Sequence, residues 1–144
     1  MVKTVRDVLR SKGGIMYSVE ADATVLSALA LMAQEDVGAL MVMDSGSLVG
    51  MLSERDYARK VVLHGLSSPM TKVRAIMTRD IYYTRPEQTV EECMALVTEK
   101  RCRHLPVMEA DKLVGLISIG DLVKASIAEK EFIIGQLENY IKGG

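Results

Sequence analysis

The first half of the chain changes between helical and strand-like spacing of its apolar residues. Apolar residues recur at helical spacing from Val25, directly after Thr24, a residue type that caps helix N-termini. Two apolar runs of strand length follow, residues 39–44 and 48–52, with a serine- and glycine-containing turn between them. The second run leads directly into another helical pattern at Ser53. We therefore predict the order helix, hairpin, helix.

The second half of the chain repeats this pattern. With an offset of 65 residues, 16–57 aligns with 81–122 without a gap, and thirteen of the 42 pairs are identical. This self-similarity indicates a tandem duplication. We predict domains at residues 1–64 and 65–127, followed by a helical extension over 128–144.

One repeat is too small to be stable alone. About 60 residues with two or three short strands bury a low fraction of their surface, so the copies are expected to pack together. We predict an α+β fold in which the copies, related by a pseudo-twofold axis, pack sheet against sheet and leave two equivalent clefts. The C-terminal helix is expected to cover core or to contact a partner.

Composition excludes several classes of function. The 18 Lys and Arg residues nearly balance the 19 Asp and Glu residues, giving a net charge of −1, so a generic nucleic-acid surface is not expected. No apolar run reaches the roughly 20 residues that a membrane span needs, and the start has no signal-peptide pattern. We expect a soluble, cytoplasmic protein.

One motif, Gly-x-x-Ser-x-x-Asp, occurs at the start of the last helix of each copy. It covers Gly50–Asp56 in the first copy and Gly115–Asp121 in the second. The structural interpretation is a capping box, in which serine and acid satisfy free backbone N–H groups. The functional interpretation is a nucleotide site, because a helix N-terminus with a serine suits a phosphate and a nearby carboxylate can accept both hydroxyls of a ribose.

The two copies differ beside this motif. Arg103 and His104 precede the strand of the second copy, where the first copy has Gly38 and Ala39. A phosphate needs such basic groups near the motif's carboxylate, so we expect the second copy's cleft to be the occupied one. Arg55 of the first copy is expected to reach the phosphate. The residues expected to build the cleft of the second copy are Thr84, Arg103, His104, Ser118 and Asp121.

The combined motifs resemble the tandem cystathionine-beta-synthase-type (CBS) domain pair, or Bateman module, over about residues 3–127. The resemblance rests on Val73–Met77, Thr84–Val90, Arg103–Val107 and the two Ser-x-x-Asp turns. It implies a stand-alone regulatory module that binds AMP, ADP or ATP and signals to an effector protein of unknown identity. It also implies a homodimer in the form of a four-domain disc, with no required cofactor.

The resemblance assigns roles to individual residues. Asp121 and Asp56 would hold ribose hydroxyls, and Ser118 and Ser53 would lie on the phosphate side. The backbone near Thr84 and the strand around Pro106 would line the adenine pocket, together with Tyr83.

Other functions are weighed against this one. Neither motif serine lies in a nucleophile elbow, so no catalytic residues are assigned and an enzyme is not expected. A metal site from His104, Cys102 and acids is not expected either. Two alternatives stay open: a sensor of NAD or S-adenosylmethionine, and a constitutive dimerisation scaffold whose clefts are vestigial.

Overall fold

The structure is a computed structural model that describes residues 2–13 and 16–142. It contains helices and short strands in a mixed α/β order. In chain order the elements are α1 Val5–Lys12, β1 Ser18–Glu20, α2 Val25–Glu35, β2 Ala39–Asp44, β3 Ser47–Ser53, α3 Glu54–Asp56, α4 Val73–Ile76, α5 Val90–Lys100, β4 His104–Glu109, β5 Lys112–Ser118 and α6 Ile119–Ile141. A π-helical segment, Tyr57–Val62, continues directly from α3.

The chain divides into two compact units that are not the two sequence repeats. The first unit is residues 17–81, and the second combines the N-terminal residues up to 16 with those from 82 onwards. The opening helix of the first repeat therefore belongs with the core of the second repeat. The isolated bridge between Thr4 and Thr89 belongs to this arrangement.

The first unit is built on a three-stranded sheet. β1 is parallel to β2, which is antiparallel to β3. Helix α2 begins where Thr24 Oγ1 accepts a hydrogen bond from Ser27 N at 3.1 Å, as the sequence predicts. Its apolar face closes a core with the fully buried side chains of the sheet, chiefly Leu40, Val42 and Leu52.

The second unit contains a two-stranded sheet, β4 antiparallel to β5. Helix α5 begins with a capping box between Thr89 and Glu92. Its inner face packs with Leu105, Ile117 and Leu122. The register shifts after Val107 in β4, as it does after Val42 in β2, so the two hairpins share even their irregularity.

The predicted α+β fold with helix, hairpin and helix in each copy is confirmed. Two features differ in detail from the prediction. β1 is an additional strand, and the helical extension predicted from residue 128 onwards is the second part of one continuous 23-residue α6. The last two residues of the predicted 128–144 extension lie outside the described part of the chain.

Candidate functional site

The turn from β5 into α6 holds the second Ser-x-x-Asp motif. Ser118 Oγ accepts a hydrogen bond from Asp121 N at 3.1 Å, and Asp121 Oδ2 accepts one from Ser118 N at 2.9 Å. This reciprocal pair is a capping box, so the structural interpretation of the motif is correct. A capping box uses only one oxygen of the carboxylate, so the other oxygen can accept a hydrogen bond from another group.

Lys12 of α1 is the other partner of Asp121. Its Nζ lies 2.7 Å from Asp121 Oδ2 and 2.8 Å from the Leu116 carbonyl oxygen. Burial acts to raise the pKa of Asp121, but the Lys12 ammonium and the Ser118 donors outweigh it, so the pKa lies below the ordinary value. The carboxylate is therefore charged at neutral pH.

Asp121 Oδ1 has no hydrogen-bond partner among residues 2–13 and 16–142. The side chain is 23% exposed. It lines a shallow depression of about 140 Å³ together with three lysines. These are Lys3, Lys12 and Lys124. Asp7 also lines the depression, so two carboxylates and three lysines surround it, a combination that suits a ligand with both hydroxyls and phosphate.

Arg103 and His104 lie close to this turn. His104 is the register partner of Ser118, and the Arg103 carbonyl accepts a hydrogen bond from Ile119 N at 2.9 Å. The Arg103 side chain is exposed. Burial lowers the pKa of His104, and the charges of Lys12 and Arg103 lower it further against the opposing charge of Asp121. The His104 imidazole is therefore neutral at neutral pH and adds no positive charge.

The Thr84 hydroxyl is directed into its own unit. Thr84 is 1% exposed, its Oγ1 donates to Gln88 Oε1 at 2.9 Å, and it lies 3.1 Å from Cys93 Sγ. Its backbone N–H donates to the Pro106 carbonyl at 3.0 Å, which joins the segment to β4. Tyr83 is exposed beside it. Its carbonyl oxygen accepts from Met108 N at 2.9 Å, so the hydroxyl and both backbone groups of Thr84 are engaged within this unit.

The motif in the first unit has the same capping box with more partners. Asp56 Oδ2 accepts from Ser53 N at 3.0 Å and from Ser53 Oγ at 3.1 Å. Its Oδ1 accepts from Thr78 Oγ1 at 3.0 Å and lies 3.1 Å from Lys60 Nζ. The Asp56 side chain is 11% exposed, so both of its oxygens are used within the fold.

The structure groups the predicted residues by unit. The second unit brings together Arg103, His104, Ser118 and Asp121, while Ser53, Arg55 and Asp56 share one turn of the first unit. The Arg55 side chain is exposed there. Two expectations stay predictions: that a ligand occupies the cleft of the second copy, and that Arg55 reaches the phosphate of this ligand.

Three polar partners were missed from the sequence: Lys12, Lys60 and Thr78. The i,i+4 spacing of Asp56 and Lys60 was a signal for one of them. Lys12 is 109 residues from Asp121 and Thr78 is 22 residues from Asp56, so no local spacing could reveal them.

The chain belongs to the CBS domain family, whose model matches residues 5–63 and 73–128. It is 40% identical to the mitochondrial CBS domain-containing protein CBSX3 of Arabidopsis thaliana, over 98% of this chain and 73% of that protein. It is 30% identical to the CBS domain-containing protein YhcV of Bacillus subtilis, over 84% of each.

Solved structures agree with this assignment. The CBS domain structure NE2398 has a TM-score of 0.83 and 46% identity, over 88% of this chain and 99% of that one. A Burkholderia ambifaria protein with CBS domains, described as a candidate signal-transduction protein, has a TM-score of 0.84 and 50% identity, over 88% and 95%. The chain is therefore a tandem pair of CBS repeats similar to candidate signalling proteins.

The described residues contain neither a membrane-spanning helix nor a candidate metal cluster. No helix there is both long and apolar enough to cross a membrane. Nor does any group of three His, Cys, Asp or Glu side chains in residues 2–13 and 16–142 have the geometry to hold a metal ion.

Proposed function

We propose that this chain is a regulatory module that binds an adenine nucleotide, AMP foremost, beside the Asp121 turn and signals to another protein by changing conformation. The observation that carries the proposal is the unequal use of the two motif aspartates. Both oxygens of Asp56 have partners within the fold, whereas Asp121 Oδ1 has no hydrogen-bond partner among the described residues and its side chain is 23% exposed. A ribose hydroxyl needs such an acceptor.

The charges around Asp121 support a phosphorylated ligand. Lys3, Lys12 and Lys124 line the depression next to Asp121, which stands in the first turn of α6. A helix N-terminus and lysines both favour negative charge. In the proposed arrangement Asp121 Oδ1 accepts from the ribose, and the phosphate lies on the side of Ser118 and the lysines. Because His104 is neutral, its role would be hydrogen bonding.

Signalling requires that the nucleotide favour one conformation. A ligand shifts a conformational equilibrium only by its difference in affinity for the two states. Family membership supports a regulatory role, and the similar Burkholderia protein is described as a candidate for signal transduction. We extend the proposal to a homodimer that is located in the cytoplasm. For the location, one relative is described as mitochondrial. For the assembly, one similar structure is described as hexameric.

The test is calorimetric titration of AMP, ADP, ATP, NAD and S-adenosylmethionine into the wild type and two variants. We expect Asp121→Ala to weaken AMP binding by about 10- to 100-fold, because hydrogen bonds to a charged group contribute about 1.5–3 kcal/mol. Asp56→Ala is the matched control and should keep its affinity per folded molecule. Equal losses in both variants would contradict the proposed asymmetry.

A second arm changes the ligand instead of the protein. AMP without its 2′ and 3′ hydroxyls should bind wild type and Asp121→Ala with similar affinity, because the proposed acceptor then has nothing to accept. If Asp121→Ala still weakens this analogue tenfold, Asp121 acts on something other than the ribose. If none of the five compounds binds at millimolar concentration, the scaffold alternative is favoured.

A further inference from the structure

The two units differ in how the opening helix of a repeat is joined to the motif turn. In the first unit, the segment after α4 forms a backbone bridge with β3. Thr78 N donates to the Met51 carbonyl at 2.8 Å, and Met51 N donates to the Thr78 carbonyl at 3.0 Å. The Thr78 hydroxyl also donates to Asp56 Oδ1 at 3.0 Å. Two main-chain bonds and one short side chain therefore fix this segment.

In the second unit, one lysine side chain makes the corresponding contacts. With the offset of 65, Leu116 is the counterpart of Met51. Asp121 is the counterpart of Asp56. The Leu116 carbonyl and Asp121 Oδ2 both accept from Lys12 Nζ, at 2.8 and 2.7 Å. A single ammonium group thus replaces a main-chain bond and the hydroxyl contact of the first unit.

The different lengths of α4 and α1 explain this replacement. A Cβ added at the motif glycine would meet Met77 in the first unit and Leu9 in the second, so both helices approach the same point. Helix α4 ends at Ile76 and the chain becomes extended, which lets Thr78 bridge to β3. Helix α1 continues to Lys12, so the main-chain N–H groups of its last turn donate within the helix. A long side chain reaches the strand instead.

The contacts of Lys12 can be exchanged for contacts with a ligand. The side chains of Lys12 and Asp121 are 34 and 23% exposed, and ion pairs with such exposure contribute little to stability. Both residues line the depression in which we place the nucleotide. A phosphate with about two negative charges is a stronger partner for an ammonium group than one partly exposed carboxylate. Asp121 then accepts from the ribose, and the partly exposed Leu116 carbonyl is left to water.

We propose that Lys12 couples the phosphate of the nucleotide to the last turn of α1. This inference rests on the proposed function and names the residue through which the phosphate acts. When the phosphate binds Lys12 Nζ, the Leu116 carbonyl and Asp121 lose their contact with Lys12. The last turn of α1 is then released from β5 and α6. Adenosine has no phosphate, so it leaves the contact in place.

The release is expected in the last turn of α1 and not in the first. The first turn is fixed by main-chain bonds, from Val5 N to the Gln88 carbonyl at 2.8 Å and from Arg6 N to the Pro86 carbonyl at 3.0 Å. A helix of eight residues is not stable alone, so each of its turns depends on contacts with the rest of the unit. Amide hydrogen exchange reports the two turns separately.

The first experiment uses the protein without a ligand. Amide exchange is measured by NMR for the wild type, Lys12→Met and Lys3→Met; methionine keeps a long side chain and removes the ammonium group. In Lys12→Met, the amides of Ser11 and Gly13 should exchange at least about 5-fold faster, because an ion pair and a hydrogen bond are lost. The amide of Val5 in the first turn should keep its rate.

Lys3→Met is the matched control for charge. Lys3 lines the same depression, so this variant loses the same charge but keeps the contacts of Lys12. Its Ser11 and Gly13 amides should exchange as in the wild type. Wild-type rates in Lys12→Met, or equally raised rates in Lys3→Met, overturn the proposal.

The second experiment compares AMP with adenosine at equal occupancy, set by calorimetric titration. AMP should raise the exchange rates of Ser11 and Gly13 in the wild type to near those of ligand-free Lys12→Met, and adenosine should leave them unchanged. In Lys12→Met, neither compound should change these rates.

The possible failures can be told apart. If AMP does not bind in the calorimetric titration, the proposed function fails and the coupling fails with it. If AMP binds but the rates of Ser11 and Gly13 in the wild type stay equal or fall, only the role of Lys12 is overturned. An equal rise with adenosine would overturn the role of the phosphate.

Discussion

Replacing Asp56 by asparagine should mainly destabilise the fold, whereas replacing Asp121 by asparagine should mainly weaken ligand binding. Asparagine keeps the shape of the side chain and one acceptor oxygen, so the hydrogen bond from the serine N–H at the cap can be kept. It changes the other oxygen into a donor and removes the charge. The effect on folding then depends on what that other oxygen contacts in each copy.

In the first unit the other oxygen is Asp56 Oδ1, which accepts from Thr78 and pairs with Lys60. An amide nitrogen cannot accept from either group, and the site is nearly buried. Losing two charge-assisted contacts there should cost about 2–4 kcal/mol. In the second unit, Asp121 Oδ1 faces no partner in the described chain, and Lys12 keeps an acceptor. Asp121→Asn should therefore cost only about 0.5–1 kcal/mol, the value of a partly screened ion pair.

Urea unfolding followed by far-ultraviolet circular dichroism measures this difference. With a slope of about 2 kcal/mol per molar urea, Asp56→Asn should lower the midpoint by about 1–2 M and Asp121→Asn by less than about 0.5 M. Equal shifts, or a larger shift for Asp121→Asn, would show that Asp121 is as fully committed to the fold as Asp56. The unpartnered oxygen would then not be the feature that separates the two copies.

The remaining predictions concern a pair of glycines and a histidine. An alanine Cβ at Gly50 would lie 2.9 Å from the Thr78 backbone oxygen, whereas at Gly115 it would meet the flexible side chain of Leu9 at 2.6 Å. Gly50→Ala should therefore cost about 1–3 kcal/mol and Gly115→Ala clearly less in the same urea assay; the reverse order would contradict this reasoning. Because the pKa of His104 is lowered from 6.5 in the folded state, protonation favours the unfolded state, and stability should fall as the pH drops below about 6.5. An NMR titration of His104 with a midpoint at or above 6.5 would refute this.

The local elements were predictable because short-range chemistry decides them. Thr24 and Thr89 cap helices, and the two hairpins occupy the predicted stretches, because capping residues and apolar runs act over a few neighbours. The capping boxes at Ser53 and Ser118 follow from the same rule. Each of these features lies within one repeat.

The contacts that were not predicted join distant parts of the chain. Helix α1 precedes the first repeat's sheet but packs with the second repeat's core, which brings Lys12 to Asp121. No spacing within a repeat contains that information. The π-helical segment after Asp56 was also missed, since its sequence is compatible with an ordinary helix.

Part of the difference between the two copies can be followed to one aligned position. Lys60 stands four residues after Asp56, and with the offset of 65 its counterpart four residues after Asp121 is Ala125. Residues four apart share a helix face, so Lys60 pairs with Asp56, whereas the Ala125 side chain has no group that could pair with Asp121. The cation that Asp121 does have, Lys12, comes from a distant helix and binds the oxygen already used by the cap. The same motif is thus fully satisfied within the fold in one copy, and in the other it keeps the acceptor that a ribose would need.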